Sequence, residues 1–218
     1  MSSGPKALRG RSGWGARSLV PASSAKGAFL LEDGSGRSAM IFITGGARSG
    51  KSGYAEQLAL QGGGPVTYIA TAEPGDGEMR SRIEEHQRRR PAGWRTVEAP
   101  LDLPAAVSAA LTDGGEGTVL VDCLTVYLSN LFFRMGPEAG GAVKAGDAEE
   151  EIERLALLGG AADGGRLIIV SNEVGMGIVP DSALGRVFRD AAGRANQKLA
   201  AVAETVYLCV SGIAVKIK

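Results

Sequence analysis

The stretch 40-MIFITGGARSGKSGYAEQLAL-60 decides how the chain reads. Its first six residues, 40-MIFITG-45, form a short, mostly apolar run of strand length, as in a strand buried on both faces. Further on, Tyr54, Ala55, Leu58 and Ala59 recur at helical spacing and share one face. Between them stands 45-GGARSGKS-52, which fits G-x-x-x-x-G-K-[ST], the P-loop pattern. The chemistry explains the spacing. Glycines let the backbone wrap until successive N–H groups face inward and meet phosphate oxygens. The helix that starts near Lys51 adds the positive end of its dipole. The eight residues Gly45, Gly46, Ala47, Arg48, Ser49, Gly50, Lys51 and Ser52 are therefore expected to cradle a nucleotide. Lys51 brings a mobile charge to the outer phosphates, and the Ser52 hydroxyl suits Mg²⁺, which takes oxygen ligands.

Outward from this motif, apolar runs alternate with helical patterns. Strands are expected at 40–45, 66–71, 118–123, 167–172 and 205–210, with a last short one at 213–217. Helices are expected near 51–62, 77–88, 102–112, 122–134, 147–160 and 183–203. The alternation predicts an α/β fold: a P-loop, RecA-like, mostly parallel sheet flanked by helices, formed by residues 40–218. The run 118-TVLVDC-123 carries Asp122 at the end of its strand pattern, where a second magnesium carboxylate belongs. The competing reading makes Asp122 the cap of the next helix. The segment 136–151 reads as a flexible connection leading into a helix.

The totals bound the partners. Lysine plus arginine equals aspartate plus glutamate, at 24 each, and aromatics make up 5%. Neither a basic footprint nor aromatic–basic interleaving points to nucleic acid. No apolar run approaches the ~20 residues of a membrane helix. Cys123 and Cys209 sit in apolar strands as small hydrophobes, which fits a reducing, cytoplasmic setting. Residues 1–39 differ in character, rich in Ser, Gly and Arg and without helical or strand period. They read as a disordered extension. A transit peptide and a true start at Met40 are the competing readings.

His86 is the sole histidine, within 81-SRIEEHQRRRP-91. Locally it reads as part of a solvated, charged helix. At helical spacing Arg82, Arg89 and Arg90 share a face with it. The P-loop and Asp122 alone leave kinases, ATPases, GTPases and recombinase-like motors open.

The ordered set of motifs 44-TGGARSGKS-52, 68-YIATAE-73, 82-RIEEHQRRRP-91, 94-WRTVE-98, 171-SNEVGMGIVP-180, 189-RDAAGRANQ-197 and 211-SGIAVKIK-218 resembles one family. It is the bifunctional adenosylcobinamide kinase / adenosylcobinamide-phosphate guanylyltransferase of cobalamin biosynthesis. The resemblance runs from Met40 to Lys218. It implies two reactions. A nucleoside triphosphate, ATP or GTP, phosphorylates adenosylcobinamide. GTP then transfers GMP to a histidine, here His86, from which adenosylcobinamide phosphate takes it. The resemblance further implies nucleotide contacts at Ala70, Thr71 and Ala72, at Gln87, Arg88, Arg89 and Arg90, and at Glu98 and Asp122. Lys51 serves catalysis, and Ser52 with Asp122 holds Mg²⁺. It implies a homotrimer as well. Asn172 and Glu173 stand where ligands collect, with roles left open. Three competing readings remain: a P-loop kinase without nucleotidyl transfer, a recombinase-like ATPase acting on nucleic acid, and a nucleotide sensor. His86 speaks for transfer, since a simple kinase needs no covalent histidine.

Overall fold

The apolar run at 40–45 forms β1 (Met40–Gly45), buried along its whole length. The computed structural model to which it belongs describes Met1 and residues 40–75, 77–134, 145–161 and 165–218. The expected extension and most of the expected flexible connection lie outside the described residues. The described residues from Met40 to Lys218 belong to one compact unit.

After β1 come α1 (Lys51–Gln61), β2 (Val66–Ala70), α2 (Gly77–Arg89), β3 (Arg95–Glu98) and α3 (Leu103–Gly114). The chain continues through β4 (Thr118–Asp122), α4 (Leu124–Arg134), α5 (Ala145–Ala161) and β5 (Arg166–Asn172). It closes with α6 (Ala183–Val202), β6 (Thr205–Val210) and β7 (Ile213–Lys216). The strands form one sheet in the order β3-β2-β4-β5-β1-β6-β7. All pairings are parallel except the last, β6 with β7. This is the mostly parallel P-loop sheet that the alternation predicts. One strand, β5, stands between the P-loop strand and the strand ending in Asp122, as in RecA-like proteins.

Two cores follow from the pleat, because successive side chains point to opposite faces. Ile41 and Ile43 of β1 meet Ala55 and Ala59 of α1 on one face. Met40 and Phe42 meet the face built from α3, α4, α5 and α6, with Leu103, Leu124, Ile152 and Leu199 at its centre. Each fully buried aliphatic side chain contributes roughly 1.5–3 kcal/mol. Both cysteines are free and buried. Burial pushes the Cys123 thiol up to about 12 and also raises that of Cys209.

The sequence reading omits β3. Its four residues, 95-RTVE-98, are short and largely exposed at the sheet edge. A hydrophobic run is not needed there, so no apolar signal marks it. The register Ala70↔Glu98 pairs it with the end of β2.

Parallel strands point all their carboxyl ends one way, and loops there form the site of open α/β sheets. Gly45, Ala70, Glu98, Asp122 and Asn172 all end strands at that edge. The P-loop is tightly confined. A Cβ on Gly45 would lie 2.4 Å from the carbonyl oxygen of Cys209 in β6 and 2.7 Å from Ser49 Oγ. Backbone and P-loop leave no room for it. Gly45→Ala is therefore expected to cost roughly 1–3 kcal/mol through forced backbone shifts, read as a lowered unfolding midpoint. An unchanged midpoint would show the loop to be looser than its geometry.

Candidate active site

The P-loop has three residues with positive φ, the first of them Gly45 at 155°. Gly50 has φ 92°, and Arg48 adopts 57°. Gly50 suits the turn because it lacks a Cβ, which would come within 3.0 Å of Gly212. Lys51, nearly buried, donates from Nζ to the carbonyl oxygen of Gly46 at 3.0 Å, so it bends back over the loop. Ser49 Oγ is buried and has no hydrogen-bond partner. Gly46 and Ala47 are exposed at the tip of the loop.

A second segment braces this cradle. Ser211 and Gly212 join β6 to β7 with φ of 52° and 81°, the positive φ pair that a two-residue I′ hairpin demands. The Gly212 N–H donates to the carbonyl oxygen of Ser49 at 2.9 Å. The 211-SGIAVKIK-218 ending thus buttresses the P-loop from beneath.

Asp122 is the centre of the constellation. Ser52 Oγ donates to its Oδ1 at 3.4 Å. Tyr68 Oη donates to its Oδ2 at 2.9 Å. His86 Nδ1 lies 3.8 Å from the same Oδ2, as an ion-pair contact longer than a hydrogen bond. The carboxylate thus faces the P-loop hydroxyl, a phenol and the imidazole, rather than serving only as a helix cap. Tyr68 is 2% exposed. Burial first, then the negative charge of Asp122, raises its phenol far above the ordinary range, so it stays protonated and donates.

The helix α2 carries His86 toward this centre. Just after it, the Arg90 guanidinium stacks on the Tyr68 ring at 3.6 Å. The Trp94 ring stacks loosely on Tyr68, with planes tilted by 29° and centroids 6.4 Å apart. Arg90 Nη1 also reaches Thr96 at 3.4 Å, while its buried Nε has no partner. Arg88 pairs with Glu84 on the exposed face of α2, and Gln87 is exposed. The side chains of Arg82 and Arg89 lie outside the described residues. Of the arginines expected around His86, the structure brings Arg90 to the site and directs Arg88 to the surface.

Thr71, one of the residues expected beside the nucleotide, is fully buried. Its hydroxyl donates to the carbonyl oxygen of Cys123 at 2.8 Å and accepts from the Cys123 N–H at 2.9 Å. It clamps the chain next to Asp122. Ala70 and Ala72 flank it at the same edge, and Glu98 is exposed there. Asn130 Nδ2 donates to the Thr71 carbonyl oxygen at 2.7 Å, so α4 also holds this loop.

Asn172 and Glu173 belong to a polar lattice at the end of β5. Ser171 Oγ donates to Asn196 Oδ1 at 2.7 Å, and Asn196 Nδ2 donates to the Asn172 carbonyl oxygen at 3.1 Å. The Asn172 N–H donates to Thr125 Oγ1 at 2.7 Å. The Glu173 N–H donates to the Gly45 carbonyl oxygen at 2.9 Å, linking this lattice to the P-loop. The run 189–197 of α6 is thus partly explained: Asn196 is a buried scaffold residue. A cavity of about 680 Å³ lies along α6 and is lined by Phe42, Thr44 and Arg189 among others, with none of the expected nucleotide-binding residues.

Sequence reasoning missed Tyr68, Trp94 and Gly212. A phenol in an otherwise aliphatic buried strand is a signal, since a buried Tyr hydroxyl usually finds a partner. Its partner becomes visible only in the register, which sets Ala70 beside Asp122 and so Tyr68 one pleat below.

The model of the cobinamide kinase / cobinamide phosphate guanyltransferase family matches residues 41–217. The chain belongs to this family. Its activities are accordingly cobinamide kinase and cobinamide phosphate guanylyltransferase, in adenosylcobalamin biosynthesis. The bifunctional adenosylcobalamin biosynthesis protein CobU of Salmonella typhimurium strain LT2 is 45% identical over 184 residues, covering 82% of this chain and 99% of that protein. The bifunctional protein CobP of Pseudomonas aeruginosa strain PAO1 is 46% identical over 176 residues, covering 81% and 95%. Among solved structures, the Pyrococcus horikoshii OT3 protein studied as PH0250 superposes with a TM-score of 0.51 at 8% identity, covering 83% of this chain and 86% of that one. That likeness is one of fold alone. Among the described residues no helix is long and apolar enough to cross a membrane.

Asn196→Ala is expected to remove the donor to the Asn172 carbonyl and one of the two partners of the Ser171 hydroxyl, which keeps its contact with Thr125, at a cost of roughly 1–3 kcal/mol. The denaturant midpoint checks this; an unchanged midpoint would mean that water replaces the amide at no cost.

Proposed function

We propose that both reactions of this family use one cleft, with His86 as the covalent carrier of GMP. The observation that supports this most is the position of Asp122, which faces the P-loop Ser52 with one oxygen and His86 with the other. The kinase step and the transfer step then share their phosphate site.

The expected residues take these parts. The backbone of residues 45–52 and Lys51 hold the triphosphate chain. The buried Ser49 hydroxyl and the Arg90 Nε, both without partners, would find acceptors in phosphate oxygens. Ala70, Thr71, Ala72, Gln87, Arg89 and Glu98 would border the nucleotide, Thr71 through its backbone, whereas Arg88 would have to leave Glu84 on the exposed face of α2 to do so. A carboxylate at Glu98 suits guanine, whose ring N–H and amino group both donate. Ser52 and Asp122 fit Mg²⁺: a hydroxyl and one carboxylate, oxygen donors near each other, are what this ion uses beside substrate phosphates. When bound, the ion neutralises charge developing on the phosphates. The family's trimer is also part of this proposal.

In the kinase step the cobinamide hydroxyl oxygen attacks the γ-phosphorus. An O–P bond forms, the bond to the βγ-bridging oxygen breaks, and the nucleoside diphosphate leaves as the hydroxyl proton is lost. In the second step an imidazole nitrogen attacks the α-phosphorus of GTP. An N–P bond forms and pyrophosphate leaves. Asp122 beside Nδ1 favours the proton there, which puts the lone pair on Nε2. The phosphate oxygen of cobinamide phosphate then attacks the same phosphorus. The N–P bond breaks, the imidazole is restored, and a cobinamide–GDP product departs. Covalent catalysis of this kind divides one difficult displacement into two.

Incubation with magnesium and GTP labelled at the α-phosphate is expected to leave base-stable, acid-labile label on the denatured chain, absent from His86→Ala. A native chain that binds GTP and stays unlabelled would refute the covalent reading.

A further inference from the structure

We propose that Tyr68 is a positioning residue for the guanylyl-transfer step, a part that rests on the covalent role of His86. Three contacts lead to it. The phenol donates to Asp122 Oδ2 at 2.9 Å. The ring carries the Arg90 guanidinium at 3.6 Å. Trp94 neighbours the same ring, with centroids 6.4 Å apart and planes tilted by 29°. Tyr68 therefore joins β4, which bears the carboxylate, to the chain leaving α2, which bears the nucleophile.

The hydroxyl has a defined task. A carboxylate turns easily about its last side-chain bond, whose torsional preference is broad. Ser52 engages Oδ1 only at 3.4 Å. The shorter bond from Tyr68 fixes which oxygen faces His86. With Oδ2 held there, the imidazole keeps Nδ1 toward Asp122 and turns its other nitrogen outward. Phenol and imidazole meet the same oxygen, so loss of the phenol frees the carboxylate to rotate away from His86.

The ring has a separate task. Arg90 immediately follows α2, four residues after His86; its stacking on a buried ring holds that end of the helix against the sheet. Cation–π contact strengthens where water is excluded, and Tyr68 is 2% exposed. The two tasks are separable by substitution, because Tyr68→Phe removes only the hydroxyl and Tyr68→Leu removes the platform too.

The test is the single-turnover rate of label transfer from α-labelled GTP at saturating nucleotide, with the GTP dissociation constant measured separately. Tyr68→Phe is expected to slow labelling by about tenfold or more, the scale of a lost hydrogen bond to a charged group, while the dissociation constant moves less than about threefold. Tyr68→Leu is expected to label more slowly still and to bind GTP more weakly. Asp122→Asn and the double variant with Tyr68→Phe complete a cycle, in which the double variant should label no more slowly than Asp122→Asn alone. Labelling by Tyr68→Phe within twofold of the parent overturns the proposal. So does a loss matched by an equal weakening of GTP binding, or a double variant whose losses multiply. A parent chain that binds GTP without labelling removes the covalent reading itself, a separate result from failure at Tyr68.

Discussion

One carboxylate organises the site. Asp122 ends β4, and its two oxygens meet side chains from three other elements: Ser52 from α1, Tyr68 from β2 and His86 from α2. This convergence depends on the parallel sheet. Only when strands run the same way do the P-loop, the carboxylate and the crossover to α2 emerge at one edge. The buried polar bonds behind it keep the edge in register. Thr71 clamps Cys123, and Ser171, Asn196 and Thr125 fix the end of β5 next to Gly45.

The P-loop is braced by the strand and hairpin beside it. Its tight fit between β1 and β6 excludes a Cβ at Gly45, and the hairpin that follows β6 bonds to Ser49 through Gly212. The C-terminal ending thereby braces the P-loop through its backbone. A cradle braced in this way is already shaped for its ligand, which lowers the ordering cost on binding.

Much of this was legible in the sequence, for physical reasons. Buried parallel strands are apolar throughout, so β1, β4 and β5 announced themselves, and the P-loop pattern fixed the first helix. β3 did not, because an exposed edge strand of four residues has no apolar run to show. His86 illustrates the other limit. Its neighbours carry charge and read as a solvated surface, and the contact with Asp122 spans elements that sequence spacing cannot relate. Resemblance to a family assigned it a role that local pattern did not. Tyr68 and Asn196 escaped for the same reason: their partners lie on other strands or helices, and hydrogen bonds across a sheet leave no period in the chain.

The central claim is that one cleft holds the phosphate cradle and the nucleophile together. A crystal structure of the chain soaked with GTP and magnesium tests it most directly. The account predicts pyrophosphate or the triphosphate tail on residues 45–52, with the α-phosphorus bonded to His86 or within attacking distance of it, beside Asp122. Phosphates seated on the P-loop with His86 remote from the α-phosphorus and turned to solvent would contradict it.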